Sequence, residues 1–98
     1  MIFGWFDTRE ARQFGASLAK FFMDEVPADA RVKEAKFATK AAKTMQKAAR
    51  KLQDFKATHK LNPYKRAKLA NAFLWGLRDA KCPVAYADEL TEWLTLRL

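Results

Sequence analysis

The 98-residue chain is half hydrophobic and 13% aromatic, and its 19 basic residues outnumber 11 acidic ones for a net charge of +8. That length fits one domain able to bury its own core, and the apolar and aromatic content excludes an intrinsically disordered tail. A single cysteine, Cys82, and a single histidine, His59, exclude an intrachain disulfide and leave a thiolate or imidazole metal centre without ligands.

The opening "MIFGWFDTRE" has no basic n-region, and its apolar run is far short of a signal peptide or a membrane span. With the lone cysteine, this reads as a soluble, unprocessed, cytoplasmic protein without integral membrane association. Asp7 and Glu10 stand three apart ahead of a helical pattern, the spacing of a capping box. Ile2, Phe3, Trp5 and Phe6 before them suit a hydrophobic staple or a docking anchor. Ala11, Phe14, Leu18, Phe21, Phe22 and Val26 then recur with helical period, predicting a first helix over about 8–25. Pro27 ends it, because a proline ring disfavours helical geometry in the residue before it.

Asp29 is a candidate N-cap for a second helix over about 29–58, since neither Gly nor Pro occurs between Pro27 and Pro63. Positive charge is concentrated here. Residues 31–68 carry 13 basic and two acidic groups, whereas the segments on either side are slightly acidic. Advancing 100° per residue from residue 36, Lys36, Lys40, Lys43, Lys47, Arg50 and Lys51 fall within about 60° of one line. Ala35, Ala38, Ala42, Met45, Ala49 and Leu52 fall roughly opposite, with Phe37, Ala41, Ala48 and Phe55 on one flank. An alanine strip buries little area but allows close approach. Bulky residues such as Phe14, Leu18, Phe73 and Leu77 are expected to fill against it. A helix longer than its neighbours leaves part of the strip uncovered, which predicts self-association as an antiparallel homodimer. The lysine row has almost no acidic residues interleaved, unlike an ordinary solvated face that alternates signs. An ordinary wet face is the bland reading. An acidic protein partner is the leading functional one, and sequence-indifferent contact with nucleic acid phosphates is the alternative.

Asn62-Pro63 is a strong helix start, with Asn suited to the N-cap and Pro to the first turn, so a third helix is expected over about 63–81. Its apolar side is read as Ala67, Ala70, Phe73, Leu74, Leu77 and Ala80. Trp75 lands opposite, with Tyr64, Lys68, Asn71 and Arg78. That makes Trp75, Lys68 and Arg78 candidate partner-binding residues, unless another part of the chain covers the tryptophan. Gly76, costly inside a helix, points to a close helix crossing. Cys82-Pro83 stops the third helix. A fourth, over about 84–98, carries Val84, Ala87, Leu90, Trp93, Leu94 and Leu98 on one face.

No stretch alternates with period two. The expected fold is therefore all-α, a single domain over 1–98 built as a compact bundle of about four helices with one long helix in the middle of the chain. Catalytic spacing motifs are missing, and His59 and Cys82 lie at opposite ends of the third helix. The chain reads as a non-enzymatic binding module without metal or cofactor.

Overall fold

The computed structural model describes residues 7–25 and 34–98, with side chains from residue 42 onward in the second segment. Four helices and no strand occur among them: α1 Arg9–Glu25, α2 Glu34–Thr58, α3 Pro63–Asp79 and α4 Val84–Arg97. This is the expected all-α bundle, and α2 is its longest element at 25 residues. The proposed N-cap Asp29 and the segment Ile2, Phe3, Trp5 and Phe6 lie outside the described residues.

Local chemistry sets most helix ends. Asn62 Oδ1 accepts the Lys65 backbone N–H at 2.8 Å, and Pro63 occupies the first turn of α3. The far end of α3 closes earlier than expected, at Asp79. The Cys82 N–H donates to the Leu77 carbonyl and the Lys81 N–H to the Arg78 carbonyl, both at 2.9 Å. These two bonds form a Schellman closure. Lys81 takes the left-handed position with φ 62°, and Cys82 and Leu77 are both buried beneath it.

The start of α1 corrects the capping-box reading. Asp7 Oδ1 accepts the Arg9 backbone N–H at 3.2 Å, and its carboxylate also holds the Arg9 guanidinium at 3.0–3.1 Å. Those Arg9 bonds, the side-chain ones first, hold the Asp7 carboxyl at about 2, below its usual 3.8, and raise Arg9 in turn. Glu10 does not turn back to the helix start, because its carboxylate is drawn across to His59. Thr8 is buried instead, its carbonyl accepting the Arg12 N–H and its hydroxyl accepting from Arg12 Nε.

The most extensive interface lies between α1 and α3, and it runs through glycines. A methyl group at Gly15 would strike the Leu69 carbonyl oxygen and lie 3.1 Å from Ala72 Cβ, while one at Gly76 would lie 2.7 Å from Ala19 Cβ. Gly15 thus meets the first half of α3 and Gly76 the later part of α1, so the two helices run parallel. Their backbones approach more closely than any larger residue would allow. Phe22 anchors the centre: it is 1% exposed and packs edge-on against Phe73 at 5.8 Å and Trp93 at 6.1 Å, joining α1, α3 and α4.

Helix α2 lies antiparallel against α1. Phe14 stacks on Phe55 at 4.3 Å, Lys51 lies 4.9 Å over the Phe21 ring, and Lys47 Nζ is 3.6 Å from Glu25. From residue 42 onward, the buried face of α2 departs from the strip read from the sequence, keeping Leu52 of the strip and Ala48 of its flank. Thr44, Ala48 and Leu52 are buried, while Ala42 is exposed and Met45 and Ala49 are half-buried. On the helical wheel this turns the buried face by about 90° toward the Phe55 flank. Leu52 and Phe55 offer far more apolar area than a row of alanine methyls, and they win the orientation.

Two smaller faces also shift. In α3 the fully buried line is Leu69, Phe73 and Leu77, whereas Ala67 and Ala80 are exposed. Leu69 carries more area, and the small residues Ala72 and Gly76 bring α1 to that side. In α4, Ala87, Leu90 and Leu94 are buried, but Val84 in the first turn is 63% exposed, beyond the reach of the core.

Candidate functional site: the groove between α1 and α2

Because the buried face of α2 is turned toward Phe55, the lysine row is turned toward α1. Its described members are exposed and lie along the open side of that interface. Lys43, Lys47, Arg50 and Lys51 line one open groove of about 710 Å³ with Gln46 and Asp54 of α2 and Phe21 and Glu25 of α1. Lys36 and Lys40 belong to the helical backbone of α2, and their side chains lie outside the described residues.

Within the groove the cations are held differently. Lys47 and Glu25 remain 60% and 40% exposed in their ion pair, a geometry worth at most about 1 kcal/mol. Lys51 sits over the half-buried Phe21 ring, a contact of similar size. Among the described residues, neither Lys43 nor Arg50 has a carboxylate at ion-pair distance. Four cations against two carboxylates leave the groove positive. Phe21 adds an apolar floor, a member that sequence periodicity assigned to the core. Its helical phase, at the edge of the α1 apolar face next to fully buried Phe22, is the signal that identifies it.

The structure separates the remaining candidates from this groove. Lys68 and Trp75 lie on α3, where Trp75 is 53% exposed and the Arg78 guanidinium lies 5.6 Å over its ring. Lys68 Nζ lies 5.6 Å over the Tyr64 ring. None of these four lines the α1–α2 groove.

A second cleft, about 310 Å³, opens at the other end of the α1–α2 interface. His59 dominates it. The ring stacks on Phe55 at 4.2 Å, Nε2 lies 2.8 Å from Glu10 Oε2, and Nδ1 lies 2.8 Å from Thr58 Oγ1 and 3.1 Å from the Phe55 carbonyl. A hydroxyl, an imidazole and a carboxylate in series have the order of a nucleophile, base and orienting acid. Here, however, the Thr58 hydroxyl also lies 3.2 Å from the Asp54 and Phe55 carbonyls. Its single proton is contested by helix acceptors. The set ties the end of α2 to the start of α1.

No three His, Cys, Asp or Glu side chains among the described residues converge as a metal centre, and no described helix is long and apolar enough to cross a membrane. No family model matches the chain, and neither a curated protein nor a solved structure is detectably similar to it.

Proposed function

We propose that the protein is a non-enzymatic interaction module whose α1–α2 groove receives an acidic segment of a partner protein. The observation that carries this reading is the convergence of Lys43, Lys47, Arg50 and Lys51 around Phe21 in one open groove. Lysine ammonium groups are compact point charges on flexible stems, suited to carboxylates in several arrangements. The exposed Glu25 pairing is weak enough for a partner carboxylate to replace it. An acidic peptide with one apolar side chain for Phe21 would match both charge and floor. The buried Cys82 thiol, held in no disulfide, accords with a reducing, cytoplasmic setting.

Fluorescence anisotropy with a labelled Glu-rich peptide containing one Leu tests the site. Reversing Lys43, Lys47 and Arg50 to Glu is expected to weaken binding by more than tenfold, with far-UV circular dichroism unchanged. Equal affinity for both proteins rejects the groove. An oligonucleotide that binds the groove while the peptide does not replaces this reading with the alternative, phosphate tracking by the lysine row.

The same module self-associates in our reading. Exposed Ala42 and half-buried Met45 and Ala49 leave part of the small-residue side of α2 without cover. Light scattering behind a sizing column should give twice the monomer mass at micromolar concentration, and a monomer throughout rejects it.

A further inference from the structure

We infer that the outer face of α3 is a separate binding surface for single-stranded nucleic acid, distinct from the groove on α2. Tyr64, Lys68, Asn71, Trp75 and Arg78 follow one another along this face within about 80° of rotation, directly opposite buried Leu69, Phe73 and Leu77. Rings and cations alternate. Tyr64 is 41% and Trp75 53% exposed, and these are the large apolar exposures that α3 presents among the described residues. Both are flat, and no branched aliphatic side chain accompanies them on this face. A partner helix would look for aliphatic knobs and holes, whereas an unpaired base needs a π-face.

Charge and spacing agree with that occupant. On this face Lys68 and Arg78 stand with only Asp79 of α3 near its edge, so a phosphate chain meets a cation near each ring. Tyr64 and Trp75 are eleven residues apart, about 16 Å along the axis, room for a few nucleotides of an extended strand between two stacked bases. Arg78 and Lys68 lie 5.6 Å over those rings, so a base that stacks on the same face moves a flexible cation aside, within reach of the phosphate that follows the base. Asn71, between them, supplies an amide for a base edge. The platform is firm because the opposite side of α3 is locked against α1 at Gly76 and Gly15. The α2 groove offers less: its aromatic residue, Phe21, is half-buried, whereas Tyr64 and Trp75 are exposed.

The test is anisotropy with a labelled oligouridine of about 10 nucleotides, the same length as a duplex, and polyglutamate as a polyanion without bases. The wild-type protein is expected to prefer the single strand to the duplex, and the protein with Lys43, Lys47 and Arg50 reversed to prefer it to polyglutamate. Trp75→Ala should weaken single-strand binding by about tenfold and leave polyglutamate unaffected, while Trp75→Phe restores most of the loss. Lys68→Ala with Arg78→Ala should flatten the dependence of log affinity on log salt by about one to two units. Reversal of Lys43, Lys47 and Arg50 should leave preference for the single strand intact, which separates this proposal from the groove reading. No binding at low salt, equal affinity for duplex, equal affinity for polyglutamate once Lys43, Lys47 and Arg50 are reversed, or full affinity in Trp75→Ala overturns it.

Discussion

Lys81 holds the left-handed position of the α3 closure at φ 62°, where a side chain is disfavoured and glycine is the usual occupant. Its backbone N–H already bonds the Arg78 carbonyl and its side chain is exposed. Lys81→Gly is therefore expected to raise stability by about 0.5–1 kcal/mol, read as a higher urea midpoint at unchanged slope. A lower midpoint would mean that the lysine makes a stabilising contact of its own. The start of the same helix is the residue-scale feature most legible beforehand. An Asn before a Pro has few other uses, and the Asn62 side chain accepts the Lys65 N–H as local rules require. Glu10 shows the limit of such rules. Its spacing from Asp7 permits a capping box, but His59 arrives from 49 positions later and takes the carboxylate.

Among the elements, the parallel α1–α3 pair depends on two glycines whose roles differ in visibility. Gly76 interrupts an otherwise favourable helix and so points to a crossing; Gly15 sits in a run of Ala and Ser that masks it. The structure makes Gly15 the stricter of the two, since its added methyl would meet a backbone carbonyl, which cannot turn aside. Gly15→Ala is expected to cost about 2–3 kcal/mol despite better helix propensity, and Gly76→Ala less, because its first obstacle is the Ala19 methyl. Urea unfolding of both variants checks the order. Equal or inverted losses would show that the helices slide apart freely. The orientation of α2 was less legible. The strip of Ala, Met and Leu and its flank with Ala48 and Phe55 give nearly the same periodicity, and contacts such as the Phe14 ring stacked on Phe55 decide between them.

Across the whole molecule, a net charge of +8 concentrated between residues 31 and 68 works against compaction. The ion pairs between described residues are few, and Glu25, Lys47 and Glu10 remain well exposed within theirs. Repulsion should therefore outweigh attraction at low ionic strength. Raising salt from about 0.01 M to about 0.2 M shortens the screening length severalfold, and the thermal midpoint is expected to rise by about 2–4 °C. Calorimetry at both salts measures it. A falling midpoint would assign the dominant electrostatic term to the Glu25–Lys47 and Glu10–His59 pairs. The same distribution underlies both proposed surfaces, which the sequence treated as one set of partner-binding residues. Folding divides them: Lys43, Lys47, Arg50 and Lys51 face α1 across a groove, while Lys68, Trp75 and Arg78 occupy a helix face outside it.

What the chain determined by itself is local: an all-α architecture, the helix start set by Asn62-Pro63, and the position of the positive charge. These follow from backbone sterics, hydrogen-bond spacing and periodicity within a turn or two. The tertiary structure alone decided which side of α2 is buried, how closely α1 and α3 approach, and where Glu10 and Phe21 find their partners. Each depends on comparing buried area and steric contact between residues distant in sequence, and no local pattern contains that comparison.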